Sequence, residues 1–218
     1  MTAFSNDADI LKFEPILFVE LYLPSQVLAE GSGGTLNGTS FGASGGDFLS
    51  SQISAGCVLY LQSADKTLDC VYEIVSVDSE TQLSVSVIRA DSDDLPIAPP
   101  GAEDVSYRIS TFMPQANQVG FELTQYFGIR PGNPASPYDV DDILDTNVLR
   151  QASVYAVISA VYSMLAGNSE NENFRAKSLH YQQLYTKAKS RCRLCIDIDS
   201  DENVDISRIG SSARLVRD

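Results

Sequence analysis

At 218 residues and 44% hydrophobic content, the chain is long enough for one large or two small domains and apolar enough to build a core. A formal charge of −14 argues against a sequence-reading nucleic-acid binder, and four cysteines (Cys57, Cys70, Cys192, Cys195) are too few to staple the fold, so reduced thiols are expected. No unbroken apolar run of about 18 residues occurs, and the first residues carry neither a basic nor an apolar signal segment, so neither a transmembrane helix nor a secretory leader is expected.

In chain order, residues 8–23 read as a helical opening, with Ile10, Phe13, Leu17 and Leu21 at a spacing of three to four. Pro15 interrupts it, because an interior proline removes a hydrogen bond and clashes with the preceding turn. Residues 29–47, rich in Gly and Ser, read as a flexible link into a new module. No lysine lies between Lys12 and Lys66, so this glycine-rich run is not a phosphate-binding loop. Residues 48–112 are β-rich. Strands are expected over 57–62, 69–77, 82–89 and 105–112, and the third alternates strictly, with Leu83, Val85 and Val87 on one face. That period of two suits an antiparallel barrel or sandwich of about five strands. The pattern then turns helical. A short helix is expected over 119–129 and a strongly apolar one over 148–166, stopped by Gly167-Asn168. A last long helix runs from Asn171 or Asn173 to about Cys195.

The fold class expected is α+β. The N-terminal helix (1–29) and the C-terminal helices (113–196) form a discontinuous helical core. A small antiparallel β-barrel or sandwich (30–112) is inserted, and an acidic strip with an extended C-terminal tail (197–218) follows. The N-terminal helix is expected beside the C-terminal pair, because a lone helix that short is unstable in water.

Charge is divided along the chain. Residues 1–174 hold 6 Lys/Arg against 23 Asp/Glu, a net of −17, whereas residues 175–218 hold 9 against 6, a net of +3. Such a chain attracts copies of itself, the basic end of one to the acidic body of the next.

Few constellations carry chemistry. His180 is the only histidine, and no nucleophile motif accompanies it, so it reads as a solvent-edge residue. Cys192 and Cys195 form a CxxC at a helix end, where the dipole raises a thiol pKa, and they read as packing residues. Asp197, Asp199, Asp201 and Asp205 match the carboxylate spacing of a calcium loop. The match fails at Glu202, where the turn glycine belongs, and at Arg208, where the bidentate glutamate belongs. The four are a weak calcium candidate; no metal, cofactor or catalytic residue is expected.

Several segments resemble the head–tail connector (adaptor, or neck) proteins of tailed bacteriophages. They are Leu149-Arg-Gln-Ala-Ser-Val-Tyr-Ala-Val, Lys177-Ser-Leu-His-Tyr, Tyr185-x-x-Ala188, Ile196-Asp-Ile-Asp, Asp201 and Leu215-Val-Arg. More loosely, Gly56-Cys-Val-Leu-Tyr and Tyr72-Glu-Ile-Val-Ser-Val-x-Ser-x-Thr-Gln-Leu join them. The chain departs from the family pattern at Asp201-Glu202, where that pattern often has Asp-Gly. The resemblance implies a structural virion protein, not an enzyme, forming a homo-oligomeric ring, usually twelvefold, in the virion neck after assembly in the host cytoplasm. The implied partners are the chain itself, the portal protein and a downstream tail or neck protein, with viral DNA passing nearby and no membrane involved. The tail residues Arg208, Arg214, Leu215, Val216 and Arg217 are expected to dock on the portal. Val154, Tyr155, Ile158, Val161 and Tyr162 are expected on the helix that packs against a neighbouring subunit. The alternative reading is a carbohydrate- or calcium-binding β-module on a helical anchor, its binding aromatics drawn from Phe41, Phe48, Tyr60, Tyr72, Tyr107 and Phe112.

Overall fold

A computed structural model describes residues 3–129, 132–133, 135–168 and 171–210. The expected docking residues Arg214, Leu215, Val216 and Arg217 lie outside the described residues. The chain is α+β and divides into two compact units, one spanning Asn6–Phe112 and the other combining Met1–Ser5 with Met113–Asp218.

The first unit opens with two short helices, α1 (Asp7–Leu11) and α2 (Ile16–Val19). Asn6 caps α1 in a capping box with Asp9, and Pro15 sits at the start of α2, where its missing N–H costs nothing. Six strands follow: β1 (Val27–Asn37), β2 (Ser40–Gly42), β3 (Val58–Gln62), β4 (Asp69–Ser79), β5 (Gln82–Ser86) and β6 (Ala102–Ser110). They close into an antiparallel barrel in the order β1-β2-β5-β4-β3-β6, so no edge is left to pair with another chain. Leu36, Phe41, Phe48, Leu59, Leu61, Ile74, Leu83, Val85 and Ile109 fill the interior. Leu83 and Val85 point inward as their alternation requires; Val87, beyond the end of β5, is partly exposed.

Two corrections follow for this unit. Residues 29–47 are not a loose link, because β1 takes in Gly31, Gly33 and Gly34 and β2 takes in Gly42. A Cβ at Gly31 would lie 2.8 Å from the Tyr107 ring, and one at Gly34 would lie 2.7 Å from the Phe41 ring. Glycine there lets the aromatic core cross the strand, and the β1–β6 register shifts between Gly31 and Gly34. The N-terminal helices, expected with the C-terminal ones, belong to the barrel unit. Arg108 on β6 donates from Nη2 to the carbonyls of Phe18 (2.9 Å) and Val19 (2.7 Å), satisfying the end of α2. Its guanidinium lies 3.5 Å from the Tyr22 ring centroid, and Phe18 meets Phe112 edge-on at 5.2 Å. The Ala8 N–H donates to the Gly56 carbonyl at 2.9 Å.

Asp7 is buried in this unit and accepts the Phe112 N–H at 2.7 Å. Burial pushes its carboxyl up from 3.8 to about 7, against the lowering effect of hydrogen bonds from the Phe112 backbone and the Thr111 side chain. Between those two values the folded protein holds a proton that the unfolded chain releases, so this group's contribution to stability is full below pH 3.8 and is lost as pH rises through about 7. Asp7→Asn keeps an acceptor for Phe112 and removes the titration. Its stability relative to the wild type is expected to rise from about pH 4 to pH 8 by at most roughly 4 kcal/mol. Urea unfolding of both proteins across that range checks this, and a pH-independent difference would contradict it.

The second unit is helical. It contains α3 (Met113–Tyr126), α4 (Arg150–Asn168) and α5 (Glu172–Arg191). Asp145 caps a 3-10 turn at Thr146–Leu149 that leads into α4, and Asn171 caps α5. A hairpin of β7 (Arg193–Ile196) and β8 (Ile206–Ile209) follows, so the first part of the expected tail folds back as a loop and strand, and residues 211–218 lie outside the described residues. The last helix stops at Arg191, and the alternation Cys192, Leu194, Ile196, all buried, turns the chain into a strand. Thr146–Gly167 is long and apolar enough to cross a bilayer by length and composition, which the search for an unbroken apolar run missed. Half of its most apolar window is buried inside this protein, and Ser153 within it hydrogen-bonds to Ser5 at 2.8 Å, as a core helix does.

Candidate functional site

Helix α4 packs against α3 and α5. The α4–α5 crossing is close because serines meet there: Ser159 Oγ donates to the Ser178 carbonyl at 2.9 Å, and Ser178 Oγ returns a bond to the Ser159 carbonyl at 3.0 Å. Tyr162 is fully buried against Phe174 and Tyr181, with Lys177 Nζ donating to its hydroxyl at 2.9 Å. Lys189 Nζ sits 4.0 Å from the Tyr126 ring centroid and 4.6 Å from that of Tyr185, joining α5 to α3.

Two grooves flank this crossing. One, of about 520 Å³, is floored by Ala156, Ser159, Ala160 and Ser163 of α4 and walled by Val119 and Tyr185. The other, of about 470 Å³, has the apolar residues Val148, Tyr155 and Leu184 with the cations Lys187, Arg191 and Arg193, and no carboxylate lines it. Among the described residues, neither Lys187 nor Arg191 forms an ion pair with a carboxylate.

The residues expected at the subunit contact fall elsewhere. Val154, Ile158, Val161 and Tyr162 lie in this chain's own interior, at 1% exposure or less; only Tyr155 reaches a groove. The part of α4 that lines the grooves is its small-residue row and its N-terminal end. That row recurs at positions 156, 159, 160 and 163, a helical spacing present in the sequence beside the larger apolar residues.

Arg208, expected in a docking tail, lies in β8 with its Nη2 donating to the Tyr138 hydroxyl at 2.5 Å. The acidic strip is the hairpin's loop. Asp197, itself buried, accepts the N–H groups of Ser200, Asp201 and Glu202, and Asp205 accepts that of Ile198. Asp197, Asp199 and Asp205 offer oxygens within 4.8 Å of one another, while Asp201 turns to Asn203. The Asp201 charge first, then slight burial and the charges of Asp205 and Asp197, raise the Asp199 pKa; the Asn203 side chain lowers that of Asp201. These bonds close the loop around Asp197, whose oxygens are already engaged. Glu202, at φ 65°, takes the left-handed turn that a calcium loop gives to glycine.

His180 is exposed and meets the Tyr181 ring edge-on at 5.5 Å. Cys192 is buried, with its sulfur donating to the carbonyls of Val148 and Ala188, and burial pushes its thiol pKa up; Cys195 lies in β7. Of the six aromatics proposed for sugar binding, Phe41, Phe48, Tyr72, Tyr107 and Phe112 are buried, and Tyr60 lies beneath Arg108. The five buried rings pack in the interior and offer no face to a ligand, and Tyr60 has one face covered by Arg108.

The Asp- and Pro-rich stretch from Asp91 to Gly101 forms the loop between β5 and β6 that its composition predicts, and what sequence reading missed is its exposed apolar residues. There Leu95 is 86% exposed and Ile97 54% exposed, next to Asp91, Asp93 and Asp94. The signal was an apolar pair inside an acidic, proline-containing stretch.

No protein-family model, curated protein or solved structure matches this chain.

Proposed function

We propose that this chain is a non-catalytic structural subunit that assembles with its own copies into a ring at the junction of a viral portal and tail, letting DNA pass without reading it. The carrying observation is the polarity of the subunit. Its barrel unit (Asn6–Phe112) holds 4 Lys/Arg against 16 Asp/Glu, a net of −12. Helix α5, by contrast, carries Arg175, Lys177, Lys187, Lys189 and Arg191 against Glu172 alone. Opposite charge on separate parts of one subunit favours head-to-tail contact between copies, the arrangement that closes a ring. An acidic body repels phosphate, which suits passage of DNA.

The resemblance of residues 148–217 to neck proteins supplies the rest of the reading: the portal and a downstream tail or neck protein as partners, twelvefold order, and a place in the virion after assembly in the host cytoplasm. The carbohydrate-binding alternative has little support, because Phe41, Phe48, Tyr72 and Tyr107 lie in the barrel core and Phe112 is buried.

Sedimentation of the full chain at low and high salt, alone and with the portal, tests the charge basis. Association is expected to weaken as salt rises from about 0.05 to 0.5 M, since exposed charges separated by more than about 10 Å are screened at 0.1 M. Association that holds or strengthens with salt would point to an apolar interface instead.

A further inference from the structure

The acidic loop between β5 and β6 is exposed yet built to hold its shape. Arg89 is buried, with Nη2 at 2.7 Å from Glu73 Oε1, and its Nη1 donates to the carbonyls of Ser92 and Asp94, both at 2.6 Å. The Ile97 N–H donates to Ser86 Oγ at 2.8 Å, and the Val87 N–H donates to the Ile97 carbonyl at 3.0 Å. The Asp91 and Asp93 N–H groups are taken by the carboxylates of Asp94 and Asp91. Pro96 restricts the chain between the two apolar residues. A loop fixed this firmly would normally turn a leucine inward. Here it holds Leu95 out at 86% exposure, with aspartates beside it. Binding such a loop costs little ordering entropy, so an apolar tip on it serves as an anchor.

The groove between α4 and α5 has the complementary character. Its apolar part, Val148, Tyr155 and Leu184, lies in a space of about 470 Å³, and its cations are Lys187, Arg191 and Arg193. Val148 is 37% exposed, and Arg193 Nε already donates to Ser207 at 2.8 Å, which fixes that guanidinium. The segment around Arg214 and Arg217 has the same sign as these cations and would be repelled.

We propose that the Asp91–Ile97 loop of one copy docks in the α4–α5 groove of the next copy. Leu95 enters the apolar part of the groove, and Asp93 and Asp94 face Lys187 and Arg191. The contact joins two different surfaces of the same chain, so it propagates from subunit to subunit and closes when the rotation permits. This rests on the ring reading and names the contact that builds it.

Charge exchange tests it on the full chain. One variant carries Lys187→Glu with Arg191→Glu, and a second carries Asp93→Lys with Asp94→Lys. All four positions are exposed, and circular dichroism checks the fold of each variant. Sedimentation velocity at low salt is expected to show self-association of the wild type and a loss of at least about tenfold in affinity for each variant alone. An equimolar mixture of the two variants is expected to regain association, because each mismatched surface then meets its opposite on the other protein. Leu95→Asp is expected to weaken association without a partner that restores it. A wild type that never self-associates would overturn this proposal and the ring reading together. A wild type that assembles while the variants assemble equally well, or a mixture that regains nothing, would overturn the docking proposal alone, and would turn attention to the Asp197–Asp205 loop as the acidic partner.

Discussion

Arg89→Ala is expected to destabilise the barrel unit by about 3–5 kcal/mol, because it leaves the Glu73 carboxylate buried with its ionic partner gone. Both side chains are only 7% exposed and lie 2.7 Å apart, so water cannot take over the lost role. The same change frees the carbonyls of Ser92 and Asp94, so the Asp91–Ile97 loop is expected to become the first point of proteolytic cleavage. The double variant Arg89→Met with Glu73→Leu removes both charges and is expected to recover part of the lost stability, since an apolar pair of similar volume often replaces a buried ion pair at no net cost. Urea unfolding of the wild type, the single variant and the double variant measures this. A single variant within about 1 kcal/mol of the wild type would show that the pair is dispensable.

Tyr162→Ala is expected to cost about 3–5 kcal/mol in the helical unit, because a fully buried aromatic leaves a cavity between α4 and α5. Its ring lies 5.9 Å from that of Phe174 and 6.4 Å from that of Tyr181, so two further aromatics lose packing with it. Tyr162→Phe keeps the ring and loses the bond from Lys177, at a cost of about 1 kcal/mol. Thermal unfolding followed by circular dichroism separates the two. Were Tyr162 a subunit contact instead, the alanine variant would keep its unfolding transition and lose assembly.

How much of this was legible in the sequence differs by element. The alternation through Leu83 and Val85 marked a strand with one buried face, and the barrel core bears it out. The extent of the barrel was harder to see. Glycine in β1 reads as flexibility when taken alone, and only the rings of Tyr107 and Phe41 across the sheet show why side chains are missing there. Tertiary packing likewise decided the place of α1 and α2: their partner, Arg108, lies about 90 residues away in sequence. The hairpin after residue 192 was hidden because the acidic strip matched a calcium-loop spacing, and the same aspartates serve as turn acceptors for backbone N–H groups. At the candidate site, the apolar character of α4 was plain, but which of its residues stay at the surface was not. Large apolar side chains are the ones a helix buries first, which leaves alanines and serines of α4 and cations of α5 among the residues that line the grooves.

Electron microscopy of the purified full chain mixed with its portal protein tests the central claim most directly. The account predicts closed rings of this chain stacked on the portal ring, present at low salt and reduced at high salt. A chain that stays monomeric and never joins the portal at either salt concentration would contradict it.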